Sequence, residues 1–477
     1  MSAPSALDYN QPPDPASCNR LFQAGIIALG LTSVWFLFRS AGELSLQTLF
    51  GLAVLILAAL PALRWARLQR RWFPVFEIAC LIYVAFYALP LLSDHSELDI
   101  YPDAVVGEAG LLVTLYLGMA VLAFEFTSRP ARSPAWLHTS LLPTTFAGYV
   151  PVGQSLNTVY LYIITFTQLI PFELAGSLRA LFFGLGTLST FILARQAGLG
   201  ALSRQTTGLF VLNIVLQVFF HFAQLYLIGG ISLLALTLIA YVSARRQVPW
   251  ITCIVVLPMI AFLHLGKPGM RATYWQGGAP LPTVFELPGF FGQWIDFSQR
   301  ELRVVGTEEQ TTPSNLLERA SLIQMLCLSV DRIPSLKPHL EGETYVDVPA
   351  QIIPRFLWPN KPSGLYSNVR LAIYFNLVSA DSALNVSIAF GMLAEAYANF
   401  GVLGVLFLGF LMGFIGRRIS MLAENTSMFS TVGILMILLT AWSFQVELVL
   451  ATWLGSLMQA MIVCIGLPLL YRRLSTA

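Results

Sequence analysis

Glu395 lies in the apolar run Phe390-Gly391-Met392-Leu393-Ala394-Glu395-Ala396-Tyr397-Ala398-Asn399-Phe400-Gly401, with Asn399 one helical turn away on the same face. A carboxylate at the centre of a membrane-crossing helix costs roughly 3 kcal/mol unless compensated, so it is a functional residue by default. The small Ala394, Ala396 and Ala398 let neighbouring helices approach closely. Upstream, four prolines in fourteen residues (Pro349, Pro354, Pro359 and Pro362) are expected to forbid regular helix and hold residues 348–363 in extended turns. Stiff backbone of this kind places charges well, and it presents Arg355 and Lys361, with Arg370 shortly after. Arg319 and the pair Asp331-Arg332 flank a further apolar segment. Of the 27 basic residues only Lys267, Lys337 and Lys361 are lysine, a bias that suits planar, bidentate contacts with phosphate or carboxylate, although a GC-rich genome would leave the same mark.

The elements that must position these groups are membrane helices. The chain has 477 residues, 56% hydrophobic and 11% charged, against about 25% charged in soluble domains. A net charge of +2 leaves no polybasic footprint, which argues against a nucleic-acid partner. The five cysteines are scattered with no C-x-x-C, so neither a zinc site nor a disulfide framework is indicated. Runs of about 20 apolar residues recur twelve times, near 21–38, 46–63, 73–92, 104–126, 154–172, 178–194, 206–228, 230–244, 249–266, 386–415, 428–446 and 449–470. The Gly229-Gly230 pair suggests a tight turn into the eighth. With the N-terminus cytoplasmic, the inside segments hold fifteen of the 27 basic residues, Arg129 and Arg132 among them, while the short outside loops hold only Arg39 and Arg179. The expected class is therefore all-α and polytopic, with both termini cytoplasmic. Nine helices (1–266) precede one large external loop (267–385), and three helices follow (386–477). A carrier built from two six-helix halves would show internal repeats and a central loop. The 9+3 layout shows neither and looks more like a membrane-embedded enzyme.

Residues 267–310 are rich in Gly, Pro and aromatics, as in Tyr274-Trp275 and Pro288-Gly289-Phe290-Phe291-Gly292-Gln293-Trp294. They read as loops anchored on the bilayer surface, with stacking on sugar faces as the second reading. Asn315-Leu316-Leu317-Glu318 has the form of a capping box and should open a helix running to about Val330. That helix is too apolar for a free surface and too short to span. Counted from 386, Glu395 should lie about 14 Å into its helix. Glu108, His221, His264, Glu447 and Arg179 fall in the outer halves of their helices, whereas Glu77 and Glu125 lie toward the cytoplasmic ends. This suggests a polar cavity opening outward beneath the long loop.

The segments Ile353-Pro354-Arg355 … Trp358-Pro359-Asn360-Lys361-Pro362 and Phe390-Gly391 … Ala394-Glu395-Ala396-Tyr397-Ala398-Asn399-Phe400-Gly401 … Gly404 resemble the C-terminal half of bacterial oligosaccharide repeat-unit polymerases, the O-antigen polymerase-like (Wzy-type) family. The resemblance is specific over about 350–415 and architectural before it. Many members have two sizeable periplasmic loops, whereas this sequence shows one. The resemblance implies a multi-span inner-membrane glycosyltransferase that joins polyprenyl-diphosphate-linked oligosaccharides on the periplasmic face. No cofactor and no metal is implied, and a flippase and a chain-length regulator are implied as partners beside the membrane lipids. The product would be O-antigen, capsule or exopolysaccharide. In such chemistry the leaving diphosphate needs fixed positive charge, for which Arg319, Arg332, Arg355, Lys361 and Arg370 are candidates. The attacking hydroxyl needs a general base, with Glu395 the first choice and His339 and Asp331 in reserve. Tyr397, Asn399 and Trp358 would support them, and direct displacement would invert the anomeric centre. An O-antigen ligase-like enzyme would use the same donor. A transferase adding single sugars would use an acid of the early loop, Asp94, Glu97 or Asp99, and a flippase or exporter would form no bond. No nucleotide-binding loop is visible.

Overall fold

Long apolar runs can hide their backbone polar groups in a bilayer only by closing hydrogen bonds within the segment, so helix is the outcome. The computed structural model describes residues 14–39, 45–93, 95–128, 134–167, 169–170, 172–305, 321–353, 357–358, 360–379, 388–423 and 426–476, with helices and no β-strand among them. In chain order the first nine helices are α1 (Pro15–Arg39), α2 (Leu46–Arg67), α3 (Val75–Leu92), α4 (Asp103–Phe126), α5 (Val150–Phe166), α6 (Phe172–Gly198), α7 (Arg204–Ala223), α8 (Leu227–Arg245) and α9 (Trp250–Trp275). Four shorter helices follow, α10 (Leu287–Val305), α11 (Ile323–Arg332), α12 (Val348–Ile352) and α13 (Leu365–Tyr374). The chain ends with α14 (Gly391–Leu422), α15 (Thr431–Trp442) and α16 (Leu450–Leu474). Among the described residues nine helices, α1–α4, α7–α9, α14 and α16, are long and apolar enough to cross a membrane. The other three apolar runs hold α5, α6 and α15.

The closest pairing joins α14 to α4. A Cβ on Gly409 would collide with the Tyr116 carbonyl oxygen, and one on Gly413 with that of Ala120. Only glycine at this four-residue spacing lets the two backbones meet. With this pair, α2, α3, α11 and α13 share one apolar core, while α6–α10, α15 and α16 share a second.

Several local expectations are corrected. Residues 287–305 form helix α10 rather than a surface loop, because Phe290, Phe291, Trp294 and Phe297 recur at helical spacing and make an apolar stripe. That stripe packs back on α9, where the buried Trp294 Nε1 donates to the Leu263 carbonyl at 2.6 Å. Gly229 and Gly230 lie within α8, and the turn before it is made by Leu225 at φ 59°. Residues 348–352 are helical despite Pro349, which occupies the first turn, where its missing N–H has no helical partner to lose. The capping box 315–318 lies outside the described residues, as do Arg129 and Arg132. Helix α11 begins at Ile323 and buries Leu326, Cys327 and Val330 between α4 and α14. Glu395 is one turn inside α14, about 6 Å from its start, because the helix begins at Gly391 and not at 386.

Candidate functional site

Gly401 has φ 60° and ψ −144°, a conformation that only glycine adopts freely, and it breaks α14 between its first turns and its long remainder. The break leaves carbonyls of the preceding turn without helical donors. Backbone from the 339–344 segment supplies them: Leu340 N–H donates to Ala398 O at 3.0 Å and Glu341 N–H to Asn399 O at 3.1 Å. Asn399 completes the seam, its Oδ1 accepting from Gly342 N–H at 3.1 Å. Non-helical backbone at this position is thus buried in protein and paired, as a bilayer requires.

Glu395 is the keystone of the seam. Its carboxylate is fully buried; Oε1 accepts from Thr344 Oγ1 at 2.9 Å and Oε2 from Leu450 N–H at 2.7 Å. Leu450 is the first residue of α16, so the acid stands at a helix N-terminus, where the dipole favours negative charge. Asn399 Nδ2 donates to Thr344 Oγ1 at 2.8 Å and to the Glu395 carbonyl at 2.7 Å, and Ser367 Oγ donates to the Thr344 carbonyl at 2.6 Å. Burial pushes the nearby Tyr345 hydroxyl well up, with the charge of Glu395 adding to it.

A second, more open group adjoins this seam. The His339 ring meets the Tyr397 ring edge-on, with 6.1 Å between centroids, and lies 3.1 Å from where a Cβ on Gly401 would be. His339 Nδ1 is buried with no hydrogen-bond partner. Tyr397 OH reaches Ile333 O at 3.3 Å and Glu108 Oε1, on exposed Glu108 of α4, at 3.5 Å. Asp331 and Arg332 pair at 3.3 Å, with Arg332 about half exposed. They face Tyr101, whose hydroxyl is pushed up to about 12, chiefly by burial, with Cys327 and Asp331 adding and Arg332 opposing. Lys337 Nζ donates to the Tyr374 carbonyl and lies 4.9 Å from the centre of that ring.

The residues read from the sequence thus separate. Glu395, Asn399 and Tyr397 come together, with His339 beside them and Asp331-Arg332 at the edge. Lys361 is buried and holds backbone, donating to Ala350 O at 3.2 Å and Ile353 O at 2.7 Å. Arg370 pairs with Asp347 at 2.9 Å and donates to the Glu343 carbonyl. Trp358 is exposed. Arg319, Arg355 and Asp94 lie outside the described residues. Sequence reasoning missed Thr344 and the Leu450 N–H, which have no signal of their own, and passed over Glu108 as one outer-half acid among several. Among the described residues no group of three or more His, Cys, Asp or Glu side chains could hold a metal ion.

Residues 154–447 match the family described as a domain of unknown function, DUF8712. The matched span contains the whole 339–401 seam and leaves out α4, which brings Glu108. No curated protein and no solved structure matches the chain.

Proposed function

We propose that this chain, which belongs to the DUF8712 family, is a membrane glycosyltransferase that polymerises polyprenyl-diphosphate-linked oligosaccharide units into surface polysaccharide. In this reading it crosses the bacterial inner membrane twelve times with both termini cytoplasmic, and the 339–401 site works at the periplasmic face. The observation that carries the reading is the seam itself. Leu340 and Glu341 occupy the carbonyls freed at Gly401, and this fixes His339 against Tyr397, whose hydroxyl reaches Glu108. A carrier keeps the polar groups of a broken helix for its cargo, whereas here the loop takes them and builds a rigid platform of the kind an enzyme needs.

The reaction follows from the groups on that platform. An acceptor-sugar hydroxyl loses its proton to His339, with Glu108 and Tyr397 orienting the pair, and the oxygen attacks the anomeric carbon. The new C–O bond forms as the bond from that carbon to the diphosphate oxygen breaks, inverting the centre. The diphosphate leaves with the electron pair, held by Arg332. Glu395, with both oxygens engaged, positions the loop instead of taking the proton.

Reconstitution in proteoliposomes with lipid-linked repeat units tests the proposal. Appearance of a polymer ladder with release of polyprenyl diphosphate is the expected result. Transfer of a single unit to a lipid core acceptor would identify a ligase-like enzyme, and translocation without bond formation would identify an exporter.

A further inference from the structure

At the end of the bundle where the arginines gather, α1, α2, α3 and α8 line a partly open pocket of about 470 Å³. Its size falls within the roughly 300–1,000 Å³ of ligand sites. Its walls are almost wholly apolar, from Leu21 and Leu29 of α1, Ala59 of α2, Leu81 of α3 and Ile239 of α8. Helix α1 packs on α2 and buries little of its own apolar length. That base is tied down, since Gln247 Nε2 donates to Ser17 Oγ at 3.1 Å and Asp14 accepts from the Ser17 hydroxyl and N–H. A dry hole of this size between membrane helices has hydrocarbon as its natural filling.

The basic end of the cavity carries unsatisfied polar atoms. Trp65 forms part of the wall, and the Arg246 guanidinium lies flat on its ring at 3.3 Å. Arg246 is 5% exposed; Nη2 donates to the Arg70 carbonyl at 2.7 Å, and Nη1 is buried with no hydrogen-bond partner. Glu77, 2% exposed, also lines the wall; Oε1 accepts from Trp72 Nε1 at 3.2 Å, and Oε2 is buried with no partner. One open acceptor thus lines the apolar pocket, and one open donor lies against Trp65 of its wall.

We infer that this cavity holds one chain of a glycerophospholipid whose phosphate meets Arg246 and whose headgroup amine or hydroxyl meets Glu77. A polyprenyl phosphate offers the same phosphate and a hydrocarbon chain but no separate donor for Glu77, so the glycerophospholipid fits better.

The test purifies the full chain in a mild detergent and quantifies retained lipid by native mass spectrometry and by extraction. The expected result is about one glycerophospholipid per chain, with retention falling about tenfold or more in Arg246→Gln, the order of losing a hydrogen bond to a charged group. Ala59→Trp, which fills the cavity, should abolish retention, while Arg245→Gln, at an exposed neighbour, should keep it. Arg246→Gln keeps the test decisive if Ala59→Trp does not fold. Retention of a polyprenyl phosphate, equal retention in wild type and Arg246→Gln, or no retained lipid in wild type would each overturn the inference.

Discussion

Glu395 Oε2 accepts the backbone N–H of Leu450 at 2.7 Å, so a fully buried carboxylate closes the N-terminus of the last long helix while its other oxygen holds Thr344 of the loop. The acid bonds three separated parts of the chain, and its two substitutions should differ. Glu395→Ala strands the Leu450 N–H and the Thr344 hydroxyl, at about 1–3 kcal/mol each. Glu395→Gln keeps an acceptor for Leu450 and a polar contact to Thr344. The expectation is a large loss of thermal stability and polymer in Glu395→Ala, and a folded, largely active Glu395→Gln. Measured together by thermal unfolding in detergent and by the polymer ladder, a stable but inactive Glu395→Gln would restore this acid to the role of base.

Gly401→Ala tests the break directly. The new Cβ would meet the His339 ring at 3.1 Å in a backbone conformation that side chains rarely adopt. Strain of this kind amounts to about 1–3 kcal/mol, and relieving it means either straightening α14 or displacing His339. Loss of both stability and activity is expected, with faster proteolysis within 339–344. Wild-type values on all three measures would mean that the break does not hold the loop.

How much of this was legible in the sequence varies with the kind of signal. Runs of apolar residues placed helices where expected, nine of them among the described residues long and apolar enough to cross a membrane, because that pattern is local and repeated over many residues. The α10 hairpin was missed because Gly and Pro punctuation outvoted four aromatics at helical spacing. Glu395 stood out as an acid in an apolar run, yet its partners did not. Thr344 is an ordinary loop threonine, and the Leu450 N–H belongs to the backbone. Lys361 looked like a substrate cation because stiff backbone can present charge outward, but its ammonium turns inward to the Ala350 and Ile353 carbonyls.

His339 and Glu108 should be separable from the scaffold. His339 Nδ1 has no hydrogen-bond partner and Glu108 is exposed, so neither holds much of the fold. His339→Ala is expected to lower the polymerisation rate by about 10²–10⁴-fold, the range for a general base, and to cost far less stability than Glu395→Ala, since no hydrogen bond to Nδ1 is lost. Glu108→Gln should give a smaller rate loss of the same kind. Initial rates in proteoliposomes beside melting curves decide the matter, and an unimpaired rate in His339→Ala would place the base elsewhere.

Arg332 and Lys361 should fail in opposite ways. Arg332→Ala removes a half-exposed guanidinium, which should raise the apparent KM for the lipid-linked donor and lower the rate with little change in stability. Lys361→Met removes the donor to Ala350 O and Ile353 O, and leaving the buried Ala350 carbonyl unpaired costs about 1–3 kcal/mol. It should melt early while its surviving folded fraction keeps a normal KM.

Glu447, in the turn between α15 and α16, gives a pH test. Burial raises its carboxyl above the usual range, with Lys267 opposing, and its carbonyl accepts the Gly391 N–H at 3.0 Å. The folded state therefore binds the proton more tightly than the unfolded chain, so stability falls as pH rises from the unfolded value through the folded one. Glu447→Gln removes the titration and leaves the backbone bond intact. It should melt higher than wild type at neutral pH, with the gain shrinking to nothing in acid. Melting curves from pH 4 to pH 8 read this directly, and a gain that stayed constant across the range would assign the effect to packing and not to charge.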